Sequence, residues 1–173
     1  MRRNVIALSV VGLLCAGAVS VYAWRWPLVN AAIRREFREI EPITTAELAA
    51  WLADDTRVAP LLLDVRTRAE YEVSHLRGAV YFGPGTAFDI AKEPRDRPIV
   101  AYCSIGYRSG RLARTLRAAS FTNVRNLQGS MFEWANEGRP IFRSAERVTA
   151  VHPYNSAWAV FLDPKYRARM PAH

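Results

Sequence analysis

The stretch Tyr102-Cys103-Ser104-Ile105-Gly106-Tyr107-Arg108-Ser109-Gly110 gathers a thiol, a turn-forming glycine and an arginine just before a helical pattern. A cysteine that ends an apolar run and precedes a helix faces the positive end of that helix's dipole. The free N–H groups of the helix's first turn stabilise an anion, whether a thiolate on Cys103 or an oxyanion on a substrate. Gly106 lets the backbone turn so that several amides point inward. Arg108 adds a permanent charge and a two-pronged donor for an oxyanion. The competing reading makes Cys103 a small buried residue at a strand end, where free cysteines often sit. The glycine, arginine and helix start that follow it favour chemistry. Cys103 is therefore the expected nucleophile, with Ser104, Ile105, Gly106, Tyr107, Arg108 and Ser109 as the expected substrate cradle. Arg108, Arg111, Arg114 and Arg117 recur every third residue, which predicts one basic helix face drawing anions toward the loop.

The elements that position this loop are legible as patterns. Leu61-Leu62-Leu63-Asp64-Val65 is a short apolar run of the kind found in buried parallel strands, Pro98 to Tyr102 reads as a second buried strand and Val124 to Leu127 as a third core strand. Gly78-Ala79-Val80-Tyr81 reads as a turn into a further strand. Thr44 with Glu47 forms a capping-box signature for a helix through Trp51 and Leu52. Helices are also predicted over Ala69–Ser74, Ser109–Ala119 and Ser130–Asn136, the last ended by Gly138. Strands alternating with helices at this spacing indicate an α/β domain around a parallel sheet. In such sheets ligands bind beyond the carboxyl ends of the strands, where Cys103 stands.

The chain has 173 residues, net charge +8, 50% hydrophobic and 23% charged residues, as expected of one folded domain with appendages. Only Lys92 and Lys165 are lysines, and the arginines are scattered rather than clustered, so no nucleic-acid surface is expected. His75, His152 and His173 lie far apart and suggest no metal site. Val5 to Trp24 contains no charge and follows Arg2 and Arg3, a pattern for a membrane anchor, with Trp24 and Trp26 suiting the interfacial belt. A cleaved signal peptide is the alternative, and Cys15 within the run is not expected to reach Cys103. Leu28 to Ile40 reads as an amphipathic helix broken by Pro42, with Val29, Ile33, Phe37 and Ile40 on one stripe. The expected division is 1–27 anchor or signal segment, 28–41 connector helix, 42–145 globular domain and 146–173 a tail packed on it. The expected location is a bacterial inner membrane with the domain on the periplasmic rather than the cytoplasmic side, an orientation the short basic start suggests and Arg25, Arg34, Arg35 and Arg38 beyond the span argue against.

The blocks Leu63-Asp64-Val65-Arg66, Glu70-Tyr71, His75, Gly78-Ala79, Tyr102-Cys103 through Arg108-Ser109, Leu127-Gln128-Gly129, Trp134 and Gly138-Arg139-Pro140 resemble the rhodanese family in order and without large gaps. The resemblance covers Pro42 to Arg143. It implies a three-layer α/β fold with a central parallel sheet, here preceded by a transmembrane helix. It also implies a sulfurtransferase whose cysteine accepts a sulfane sulfur as a persulfide, from thiosulfate or another persulfide, and passes it to a thiol or cyanide. No cofactor or metal is implied. Asp64 and Arg66 are expected to pair and steady the loop, and His75 to hold the turn into Gly78. Ile105 and Tyr107 depart from loops that carry several charges, which leaves charge selection to Arg108. A Cdc25-like phosphatase or arsenate reductase is the rival enzyme, and a non-catalytic tethered module the non-enzymatic one. By resemblance the phosphatases place five residues between cysteine and arginine, whereas Ser104 to Tyr107 is four.

Overall fold

The computed structural model describes residues 25–169. The expected span Val5–Trp24 and Cys15 lie outside them, and among the described residues no helix is long and apolar enough to cross a membrane. Five strands make one parallel sheet: β1 Glu41–Ile43, β2 Leu61–Asp64, β3 Val80–Tyr81, β4 Ile99–Tyr102 and β5 Val124–Leu127. Their order is β1-β5-β4-β2-β3. Every residue of β2 and β4 is buried, which is why both read as continuous apolar runs. The register sets Asp64 beside Tyr102 and Ala101 beside Asn126, so β2, β4 and β5 end together at one margin of the sheet. Pro42 stands inside β1, not at a helix break. It is tolerated because β1 is an edge strand.

Helix α1 covers residues 25–36. It is followed by α2 Thr45–Leu52, α3 Arg68–Val73, α4 Tyr107–Ala118, α5 Ser130–Asn136 and α6 Ser156–Ala159. A hairpin of β6 Ile141–Arg143 and β7 Glu146–Val148 follows α5. Thr44 and Glu47 close the expected capping box on α2, and Thr67 with Glu70 closes a second one on α3. Two helix starts differ from the sequence reading. The second box brings the start of α3 to Arg68. Helix α4 begins at Tyr107 rather than Ser109, because Gly106 (φ 109°) turns directly into it.

The predicted connector is not a free-standing spacer. It ends at residue 36, and Ile33, Phe37 and Ile40 enter the hydrophobic core, as the apolar stripe allows. Docking on α4 is close because Gly110 has no side chain; a Cβ there would lie 2.5 Å from the Phe37 ring. Arg114 reinforces it by donating to the Glu39 carboxylate and the Glu36 carbonyl, each at 2.5 Å. Asn30 donates to Glu133 on α5 at 3.2 Å. The tail also packs back, with Val151 and Leu162 fully buried. Trp26, read as a belt residue, meets Phe161 edge-on at 5.5 Å.

The single basic face expected on α4 does not form. Steps of three residues precess by about 60° each, so four arginines fan over roughly half the circumference. Arg108 pairs with Glu70, Arg114 with Glu36 and Glu39, and Arg117 donates to the Thr122 carbonyl.

Gly110→Ala is expected to cost about 1–3 kcal/mol by overpacking α1 against α4. A lowered urea midpoint with an unchanged slope would show this, and an unaltered midpoint would show that Phe37 moves aside freely.

Candidate active site

Cys103 follows β4 directly and is a free thiol, 1% exposed, at the floor of a cavity of about 550 Å³. The loop after it is shaped by where its carbonyls go. The first amides of α5 capture two of them, Met131 donating to the Cys103 carbonyl at 3.0 Å and Phe132 to that of Ser104 at 3.1 Å. Asn126, at the end of β5, donates to the Gly106 carbonyl at 2.9 Å, as does the Gly110 amide at 3.1 Å. In a trans peptide the N–H points opposite to the C=O. Carbonyls 103, 104 and 106 drawn into the scaffold therefore leave the N–H groups of Ser104, Ile105 and Tyr107 aimed away from it. The Gly106 N–H closes on the sulfur itself, donating to Cys103 Sγ at 3.1 Å. The thiol thus meets one loop amide directly and stands at the start of a twelve-residue helix, the positive end of its dipole.

The start of α5 is itself held in a strained shape. Gly129 and Ser130 both have positive φ, 65° and 51°. Ser130 Oγ donates to the Leu127 carbonyl at 2.9 Å and accepts from the Cys103 amide at 3.2 Å. These bonds fix the turn that aims α5 at the loop.

Arg108 does not offer the free fork expected of it. Its guanidinium donates to both oxygens of Glu70, at 2.8 and 2.7 Å, and to Ser104 Oγ at 2.9 Å. Ser104 Oγ in turn donates to Glu70 at 2.9 Å. Glu70 is 1% exposed and also accepts from the Thr67 amide and hydroxyl as the capping-box acid of α3. Burial alone would push this carboxyl up, but the bonds and charge of Arg108 outweigh it, aided by the Thr67 amide and Arg66. The result is a pKa of about 2. The other face of Arg108 lies 4.7 Å from the Tyr154 ring, contributed by the tail. His152, from the same segment, is buried and accepts from the Tyr154 amide through Nδ1 at 3.0 Å. Burial lowers its pKa; Glu70 opposes the shift, while Arg66 and Arg108 add to it.

Asp64 and Arg66 pair as expected, at 2.6 Å and fully buried. They do not touch the cysteine loop: Arg66 also donates to the Ser74 carbonyl at 2.6 Å, fastening the end of α3 to β2. His75 holds its turn by contacts to the Leu76 carbonyl and the Ser144 amide and by stacking on Tyr71. Of the expected cradle, Ser104, Ile105, Tyr107 and Arg108 line the cavity. Gly106 meets the sulfur from within the loop, whereas Ser109 is fully buried and donates to Asn126 at 2.7 Å, a structural role. Glu70, Asn126 and Ser130 were not anticipated as loop supports. Glu70 carries one usable signal, its position three residues after Thr67; side chains meeting across long sequence separations leave none in a single sequence.

Among the described residues, one buried free thiol stands at the carboxyl end of a parallel sheet and meets a loop amide, which defines a cysteine-centred site on an α/β domain. A model of the rhodanese-like domain matches residues 44–137, and the chain belongs to that family. It is 34% identical over 105 residues to the "Probable adenylyltransferase/sulfurtransferase MoeZ" of Mycobacterium tuberculosis, a match covering 57% of this chain and 25% of that protein. The chain thus spans about a quarter of that relative's length. Among solved structures, a rhodanese-like domain from Anabaena sp. aligns with TM-score 0.53 at 22% identity, covering 76% of this chain and 95% of its own. The thiosulfate sulfurtransferase from Pseudomonas aeruginosa aligns with TM-score 0.54 at 20% identity, covering 68% and 23%. These two likenesses establish the fold.

Because the Glu70 carboxyl is lower when folded (about 2) than its ordinary 4.5, the stabilisation it brings is complete above pH 4.5 and fades as pH falls toward 2. Glu70→Gln is therefore expected to be less stable than the parent protein at pH 7 by about 3 kcal/mol, with the gap closing over that acid window. Urea titrations at pH 2 to 7 measure it; a gap independent of pH would remove the ion pair as its cause.

Proposed function

We propose that the chain is a sulfurtransferase in which Cys103 carries a sulfane sulfur as a persulfide. The observation that carries this reading is the Gly106 N–H donating to Cys103 Sγ at 3.1 Å, inside a loop whose neighbouring carbonyls are held by α5 and Asn126. The Cys103 thiolate attacks the outer sulfur of a persulfide or thiosulfate. One S–S bond forms, the donor's S–S bond breaks, and a thiolate or sulfite leaves with the electron pair. The amide nest stabilises the new terminal sulfur anion without rearrangement. A thiol or cyanide then removes that sulfur and restores Cys103. Asn126, Ser130 and Glu70 position the loop, and Cys103 alone reacts.

The four residues from Ser104 to Tyr107 favour a sulfur atom over a tetrahedral phosphate as the group enclosed. The pairing of Arg108 with Glu70 points the same way, since a phosphate would need that fork. The uncharged run Val5–Trp24 supports a membrane tether with the domain on the periplasmic face of a bacterial inner membrane; the support is that run itself.

Incubating the full chain with thiosulfate or an organic persulfide, followed by intact-mass measurement, tests the reading. The expected result is one added sulfur on Cys103, absent in Cys103→Ser and removed by cyanide. Hydrolysis of an aryl phosphate without any sulfur uptake would replace it with the phosphatase reading.

A further inference from the structure

We infer that the sulfur exchanged at Cys103 arrives or leaves on an apolar organic group, aromatic or branched alkyl, seated in the cavity above the thiol. The inference rests on the sulfurtransferase reading and adds a substrate class to it. A volume of about 550 Å³ is that of a site for an organic ligand rather than a cyanide or thiosulfate ion alone. Its walls are Val29, Ala32 and Ile33 on α1, Ile105 on the loop, and Tyr154 and Trp158 on the tail. The α1 and tail walls lie outside residues 44–137, the part of the chain that the family model matches. Both segments are anchored where they stand. Helix α1 is held through Phe37, Asn30 and Arg114, and Arg25 donates to the Val160 carbonyl across the gap between helix and tail at 3.0 Å.

The charges lining the cavity already have counter-ions. Arg108 is paired with Glu70 at 2.7 Å, and Glu36 lies 3.6 Å from Arg114. An inorganic dianion entering here would shed water and find the amide nest without a free cation. An apolar carrier instead gains by covering Ile33, Ile105 and Trp158, while its sulfur reaches the nest. Only the reacting sulfur needs charge stabilisation, and the backbone supplies that.

Two thiosulfonates that leave as sulfinates separate the carrier from the chemistry. In each, the Cys103 thiolate takes the terminal sulfur, the donor's S–S bond breaks and the sulfinate departs with the electron pair. Rates of Cys103 persulfide formation on the full chain are measured by intact mass with benzenethiosulfonate and with methanethiosulfonate. The ratio is divided by that for a small free thiol. The expected normalised ratio is at least about 10, the scale on which apolar subsites discriminate. Trp158→Ala, which opens the cavity, and Ala32→Trp, which fills it from the exposed side of α1, should each return the ratio toward 1 (the free-thiol value by definition). Sulfur uptake from both donors with the free-thiol ratio would overturn the apolar-carrier inference and leave the sulfurtransferase standing. A high ratio that neither variant lowers would overturn the assignment to this cavity. Uptake from neither donor would overturn the sulfurtransferase reading and this inference with it.

Discussion

The conformation of the loop from Cys103 to Arg108 depends on the capture of its carbonyls by the protein scaffold. Every buried backbone polar group needs a partner, and each peptide plane has two ends. When the start of α5 takes the carbonyls of Cys103 and Ser104, and Asn126 takes that of Gly106, the opposite ends of those planes are turned outward. The N–H groups of Ser104, Ile105 and Tyr107 are thus the far side of a set of ordinary structural hydrogen bonds, and the Gly106 N–H between them closes on Sγ. This arrangement draws on three elements that end at the same margin of the sheet, β4, β5 and the strained turn into α5. That convergence is a product of the parallel register, which sets Ala101 beside Asn126.

Charge is then arranged so that Arg108 is balanced inside the protein by Glu70. Glu70 serves two ends at once, capping α3 through Thr67 and neutralising Arg108. A buried carboxylate with one of these roles alone would carry a large desolvation penalty. With both, the bonds and charge of Arg108 and the Thr67 amide hold its carboxyl near 2 in spite of burial. The consequence for chemistry is a loop whose arginine is spent on internal order. Asp64 and Arg66 repeat the device one turn of chain earlier, joining β2 to the end of α3. The buried Asp64–Arg66 pair therefore fastens the end of α3 to β2 through the Ser74 carbonyl, and the Glu70–Arg108 pair ties α3 to the start of α4.

What could be read in the sequence follows the range of the interactions. β2 and β4 were legible because a strand buried on both faces is largely apolar, a local property, whereas β5 carries Arg125 and Asn126 between its apolar ends. Cys103, Gly106 and the helix after them were legible because thiol, turn and dipole are contiguous. The start of α4 was placed two residues late because the left-handed φ of Gly106 lets the helix open immediately, which composition does not reveal. Glu70 meets Arg108 across 38 residues, and Asn126 meets Gly106 across 20; neither contact leaves a periodic trace. The stripe Val29, Ile33, Phe37, Ile40 announced an apolar face on α1 but could not say what it would cover. That choice was made by Gly110 on another helix.

The two segments outside residues 44–137 wall the cavity while leaving the thiol at its floor alone. Arg108 is clamped between Glu70 below and the ring of Tyr154 above. The tail thereby covers a cation whose charge α3 has already balanced. A family loop with exposed charges would reach into water and select by electrostatics. Here Ile105 and Tyr107 replace such charges, and Tyr107 meets Phe37 edge-on at 5.4 Å, tying the loop to α1. Sequence departures within the loop and the presence of the added walls are thus physically linked: the apolar loop residues give α1 and the tail something to pack toward. Once those walls stand, a charged side chain at 105 would be buried without a partner. The packing of the walls and the apolar character of the loop consequently become one constraint, while the amides beside the thiol, being main chain, are independent of it.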